Sequence, residues 1–189
     1  MPGGELPVAG GDRILAPIKR LIREGGFDEI GDVHEEHPAR HISFASTHGK
    51  KPYETFDFGQ GPTVLWPDHA LAGTANARLH PSLACERITF RCLKGLRADA
   101  ECYGSFAYAD GQPTELEDIL SRRNIGALTI VGLATDYCVG ETALQAAARR
   151  FATTVVLEAC RGVAPGTTAA KLKALRAANV RIVDTVDEA

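Results

Sequence analysis

The chain has 189 residues, 44% hydrophobic and 24% charged, which suits one globular domain over 1–189 with a sizeable core and is too short for two comfortable domains. A net charge of -3 gives no basic footprint for nucleic acid or an anionic membrane surface. No apolar run approaches the roughly 20 residues of a membrane span, and residues 1–12 (MPGGELPVAGGD) hold neither the basic nor the apolar region of a signal peptide.

Five cysteines at irregular spacings (Cys85, Cys92, Cys102, Cys138, Cys160), with no CxxC, argue against a disulfide framework or a cysteine-based zinc site. They suit a reducing compartment, so a cytoplasmic enzyme is the expectation.

In chain order, Asp12 to Arg23 places Ile14, Leu15, Ile18, Leu21 and Ile22 on one helical face, with Pro17 in its early part and Gly25-Gly26 as a stop. Residues 35–82 are rich in His, Pro and Gly with little periodicity and read as a long functional loop with short strands at most. From residue 87 the rhythm is regular. Arg87 to Leu93 reads as a buried strand, and Thr114 with Glu117 opens a helix in a capping-box pattern. Ala127 to Leu133 (ALTIVGL) is a strand and Val139 to Phe151 a helix. Thr153 to Ala159 is a strand, Thr168 to Ala178 a helix, and Val180 to Thr185 a last strand. Alternating strands and helices predict an α/β fold with a mostly parallel sheet.

Cys138 falls just past the end of ALTIVGL and just before a helix. Ligands of open α/β sheets bind at the carboxyl ends of the strands, and unpaired amides at a helix N-terminus favour a thiolate and an oxyanion. Position alone leaves open whether Cys138 is a nucleophile or one more small buried residue. A second constellation is HEEHPARHISF (34–44) with WPDHALAGT (66–74), which hold His34, His37, His41 and His69 beside Glu35, Glu36 and Asp68. Imidazoles with carboxylates suit zinc, iron or manganese, but without an HExxH spacing a solvated polar loop is the rival reading. His48 and His80 read as surface or structural residues.

Together these segments resemble the nicotinamidase/isochorismatase-like cysteine hydrolases, the nicotinamidase branch in particular. PGGELPVAGGD looks like the family's glycine-rich turn, HPARHISFAS and LWPDHALAGT like its metal and pocket loops, LKG (93–95) like its lysine strand end, GLATDYCVGETA like its nucleophile turn, and CRGVAP (160–165) like a late segment. The resemblance implies a three-layer α/β/α fold and an enzyme of pyridine nucleotide (NAD) salvage. Its reaction would be hydrolysis of nicotinamide to nicotinate and ammonia through a thioester on Cys138. Lys94 would sit beside the thiol. The N–H groups of Ala134 and Cys138 would form the oxyanion hole, next to a cis Leu133–Ala134 peptide. Phe44, Trp66, Leu133 and Ala134 would line the pocket. A divalent metal on His37, His69 and Glu35, with His41 as a further candidate, would hold the pyridine nitrogen. The partner implied is this small molecule, with no nucleic acid or membrane, and a homo-oligomer is compatible with the reading.

The sequence departs from the family pattern in two places. Where the family reads Asp-Trp-His the chain reads Glu35-Glu36-His37, and the extra methylene displaces the carboxylate by about 1.5 Å. Asp32-Val33-His34 is the rival, at the cost of a three-residue insertion. The strand expected at 28–34 is also poor, with Ile30 and Val33 as its apolar residues. At the start, the family has an apolar strand ending in the aspartate that takes the cysteine's proton, whereas the chain begins at Met1-Pro2-Gly3-Gly4, within the turn. Two expectations follow. Either the sequence starts at an internal methionine of a longer, active protein, or it is a degenerate, catalytically impaired copy keeping a metal or ligand pocket. A hydrolase of the same superfamily acting on another small amide is the close variant.

Overall fold

The computed structural model describes residues 1, 3–58 and 61–189; Pro2, in the glycine-rich turn, and residues 59–60 of the long loop lie outside the described residues. The first helix, α1 (Leu15–Glu24), follows a 3-10 turn at Gly11–Ile14. Pro17 falls in its first turn, where the missing amide has no helical partner to lose. Then come β1 (Gly31–Glu35), a small antiparallel hairpin of β2 (Thr55–Asp57) and β3 (Pro62–Val64), β4 (Phe90–Lys94), α2 (Leu116–Arg122) and β5 (Ala127–Leu133). The chain closes with α3 (Gly140–Ala148), β6 (Ala152–Arg161), α4 (Pro165–Ala177) and β7 (Arg181–Val183). No helix among the described residues is long and apolar enough to cross a membrane.

The main strands run parallel, β1 with β4 and β5 with β6 with β7. Helices cover both faces. Adjacent residues of a strand point to opposite sides, and on β6 Val156 packs with Ile14, Ile18 and Leu21 of the α1 region, while Val155 packs with Ala143 of α3 and Leu175 of α4. The α/β/α expectation therefore stands, with local corrections. The strand expected from Arg87 begins at Phe90, because the Ile88 amide turns back to the Cys85 carbonyl. The capping box at Thr114 does not close. The Thr114 hydroxyl accepts the Leu116 amide, but Glu117 pairs with Arg149 at 2.8 Å. The poor strand before the histidines does form, as Gly31–Glu35, its buried Asp32 bonded to His34 (2.8 Å) and Arg91 (2.9 Å).

Among the described residues the strands form two separate parallel sheets, β1–β4 and β5–β6–β7, rather than one. A cavity of about 1070 Å³ lies between the facing edges of β1 and β5 and runs on to the carboxyl ends of the strands. None of the seven β5 residues is buried, although ALTIVGL is the apolar run expected of a strand covered on both faces.

The turn after β5 is fixed by Asp136. Its buried carboxylate accepts the amides of Val163 (2.9 Å) and Ala164 (3.1 Å) and the Thr167 hydroxyl (2.5 Å), tying CRGVAP and the start of α4 to the segment holding Cys138. Asp136→Ala strands these donors and is expected to cost about 3 kcal/mol, read as a lower urea midpoint; an unchanged midpoint would show that the turn stands without this carboxylate.

Candidate active site

The site grows from strand register. In the β1–β4 ladder Glu35 is paired with Lys94, so the last residues of two neighbouring parallel strands lie side by side. Lys94 is buried, at 3% exposure, and donates to Glu35 Oε1 at 2.5 Å and to the Cys102 carbonyl at 2.6 Å. Burial alone would lower its pKa, but the charges of Cys138 and Glu35 outweigh that and hold the ammonium protonated. Glu35 is likewise pulled well below the usual carboxylate range: burial opposes ionisation, and Lys94, His37 and His69 overcome it.

Cys138 reaches the same point from the third strand end. Beyond Leu133 the peptide to Ala134 is cis, and Thr135–Val139 forms a single π-helical turn leading into α3. Such turns recur at functional sites. The turn places Cys138 Sγ 3.1 Å from Glu35 Oε1 and 3.5 Å from Lys94 Nζ. Burial and the Glu35 charge push the thiol pKa up, and Lys94 only partly offsets them. The helix N-terminus and Lys94 were expected to favour the thiolate; burial and the Glu35 contact, neither visible in the sequence, reverse the balance.

The other Glu35 oxygen faces the histidines. Oε2 lies 3.7 Å from Nε2 of His37 and 3.7 Å from Nε2 of His69. His37 Nδ1 is bonded to the Gly95 carbonyl (2.9 Å) and His69 Nδ1 to the Pro67 carbonyl (2.8 Å). A carbonyl only accepts, so both rings carry hydrogen on Nδ1 and turn Nε2 toward Glu35. One ligand atom from each of Glu35, His37 and His69 lies within 4.8 Å of the others. Two imidazoles oriented by carbonyls and one carboxylate are a donor set fit for a divalent metal such as zinc, iron or manganese.

The remaining candidates separate. His41 is buried, with Nδ1 on the Ser43 hydroxyl (2.8 Å) and Nε2 on the Ala100 carbonyl (3.2 Å), so neither nitrogen joins the three-residue group. Burial and the neighbouring His37 push its pKa down to about 4. Asp32 is likewise committed, to His34 and Arg91, and lies outside the group of Glu35, His37 and His69. Phe44 is fully buried and sets its ring against those of His37, His41 and His69, bracing the imidazoles from behind rather than lining the cavity. Trp66, Leu133 and Ala134 do line it.

Three cavity residues escaped the sequence reading. Tyr103 accepts the Trp66 indole N–H at 2.8 Å, and Tyr137 meets the Trp66 ring edge-on at 4.8 Å. Glu101 Oε2 is buried without a hydrogen-bond partner among the described residues, and burial raises its pKa. Tyr137 could have been suspected from its place beside Cys138; Glu101 and Tyr103 carry no local signal.

A thiol, an ammonium and a carboxylate in mutual contact at the carboxyl ends of parallel strands mark an α/β protein equipped for chemistry at a cysteine. The chain belongs to the isochorismatase-domain family, whose domain matches residues 4–187. It is 40% identical to a nicotinamidase of Acinetobacter baylyi over 164 residues, 86% of this chain and 76% of that protein. Its fold is similar to an Acinetobacter baumannii nicotinamidase/pyrazinamidase, with 36% identity, a TM-score of 0.94 and coverage of 100% of this chain and 92% of the other. A Pyrococcus horikoshii pyrazinamidase in complex with zinc superposes at a TM-score of 0.77 with 29% identity, over 97% and 92% of the two chains.

For the metal group, His37→Ala and His69→Ala are expected to lose zinc on dialysis, while His41→Gln keeps the parent's stoichiometry. Loss of zinc from the His41 variant in folded protein would place His41 among the ligands.

Proposed function

We propose that the chain is an amidohydrolase that converts nicotinamide to nicotinate and ammonia. The observation that carries the reading is Cys138 in contact with both Glu35 and Lys94, beside the paired Nε2 atoms of His37 and His69. The likeness to proteins named nicotinamidase supports the substrate.

Cys138 Sγ attacks the carboxamide carbon, and its proton passes to Glu35 Oε1, the carboxylate it touches. As the C–N bond breaks, that proton leaves with ammonia, and a thioester remains. Water hydrolyses the thioester to nicotinate and restores the thiol. Lys94 offsets the charge on sulfur and keeps Glu35 in place, and the Ala134 and Cys138 N–H groups receive the carbonyl oxygen as it becomes negative. Trp66, with Tyr103 and Tyr137 around it, forms the aromatic wall for the ring. Glu35 Oε2, His37 and His69 would hold a divalent metal, zinc being supported by the Pyrococcus relative, and a bound ion would supply Lewis-acid character for the pyridine nitrogen.

The cavity between β1 and β5 supports a further part of the reading: among the described residues no strand pairs between β1 and β5, the position the family's first strand and its aspartate would take. Glu35 then serves as the acceptor available in these residues. The second reading is a catalytically impaired chain that keeps the pocket. It is favoured by the raised Cys138 thiol, which makes transfer to the strongly acidic Glu35 uphill.

Ammonia release from nicotinamide by residues 1–189 supplied with zinc, iron or manganese separates the two. Turnover is expected, abolished in Cys138→Ala and lowered by about 10²–10⁴ in Glu35→Gln, the usual range for a lost general base. A folded Cys138→Ala variant that still releases ammonia would overturn the nucleophile assignment, and a silent parent would leave the impaired reading.

A further inference from the structure

Glu101 takes no part in the contacts that join Cys138, Lys94, Glu35 and the two histidines. It lies in the irregular segment after β4 and lines the cavity beside all of them. Oε1 accepts the Cys102 amide at 2.8 Å, while Oε2 is buried with no hydrogen-bond partner among the described residues. The buried cation of the site does not serve it. The three hydrogens of Lys94 are placed on Glu35 Oε1, the Cys102 carbonyl and Cys138 Sγ. His37 and His69 turn toward Glu35 instead, near enough to Glu101 for the charges to interact.

A carboxylate oxygen taken out of water without a donor is costly unless an opposite charge stands nearby. The charges at the neighbouring donor set show which one is missing. Glu35 is the single anion among Glu35, His37 and His69, and it already neutralises Lys94. The Cys138 thiol, pushed up by burial and then by Glu35, adds no negative charge of its own. A dication on these three residues would therefore sit in a group whose own charges cancel. The other carboxylates of the cavity are placed elsewhere. Asp32 is bonded to His34 and Arg91, Asp28 and Glu29 precede β1 at the end opposite Glu35, and the exposed Glu5 accepts the Ala70 amide. Glu101 has the charge the donor set lacks, and a bound dication has the charge Glu101 lacks. Burial raises the Glu101 pKa, and a cation close by favours its carboxylate form.

We infer that Glu101 is a positioning residue for the metal: without ligating, its buried carboxylate supplies the negative charge that lets Glu35, His37 and His69 retain a divalent cation. The inference rests on the reading that those three residues hold a metal, and it does not depend on which amide is hydrolysed.

The test is a zinc titration of the 189-residue protein against a chromophoric chelator, without substrate, for the parent, Glu101→Gln and Glu101→Asp. Gln keeps the shape and removes the charge, and Asp keeps the charge. Glu101→Gln is expected to raise the zinc Kd by about 10–100-fold, the range for residues behind the ligands, and Glu101→Asp by no more than about threefold. The urea midpoint of metal-free Glu101→Gln is expected not to fall, because the substitution removes a buried charge without a partner. Glu101→Ser, which also removes the charge, is read in the same way if the Gln variant does not fold. Equal weakening by Gln and Asp would overturn the inference, making the fit of the side chain the cause. A lower metal-free midpoint with an unchanged Kd would overturn it too, making Glu101 a structural residue. A parent that binds no zinc would refute the metal reading of Glu35, His37 and His69 and this inference with it. Parent binding that Glu101→Gln leaves intact would refute this inference alone.

Discussion

The contact on which the site depends is the buried pair of Lys94 and Glu35. An ammonium taken out of water is costly unless it is paired and hydrogen-bonded, and this one has a carboxylate at 2.5 Å and a carbonyl at 2.6 Å. The parallel register of β1 and β4 puts the two residues opposite each other, so the pair exists because the strands align. Everything else at the site is arranged around the two oxygens it orients. One meets the thiol of Cys138 and the other faces the imidazoles of His37 and His69.

On the proposed reading that arrangement gives Glu35 two duties at once, and they pull in opposite directions. The positive charge that holds Glu35 ionised makes it a ready donor to a cation and a weak base toward sulfur. Its nearness also raises the thiol it would deprotonate. On the proposed reading, a nucleophile, a cation-binding group and a buried lysine thus share one carboxylate, where the family pattern that the sequence resembles divides the work between two aspartates. The extra methylene of glutamate, read from the sequence as a displacement of the carboxylate, lets this side chain span the histidines and the sulfur.

Much of this was legible beforehand. The apolar run ALTIVGL followed by Cys138 defined β5 to the residue, and the alternation after residue 87 gave the parallel α/β order. The choice between Glu35 and Asp32 was not legible, because it turns on what each carboxylate touches: Asp32 is taken by His34 and Arg91, Glu35 by Lys94. The roles of His41 and Phe44 were hidden for a similar reason. Sequence spacing reports that they lie near His37 but not that one spends both ring nitrogens on Ser43 and Ala100 and the other sits behind the imidazoles. Tyr103 and Glu101 enter the cavity from the irregular segment after β4, which has no period to read. The exposure of β5 also could not be inferred locally, since its composition is that of a covered strand and the covering depends on the rest of the sheet.

The central claim is that Cys138, oriented by the Lys94–Glu35 pair, forms a covalent bond to the substrate carbonyl. The direct measurement is rapid acid quench of the metal-supplied protein with nicotinamide, followed by intact-mass and peptide mass spectrometry. A nicotinoyl thioester located on Cys138, formed more slowly when Glu35 is replaced by Gln, is the predicted result. Nicotinate formed in the same samples with no adduct on Cys138 at any quench time would contradict it.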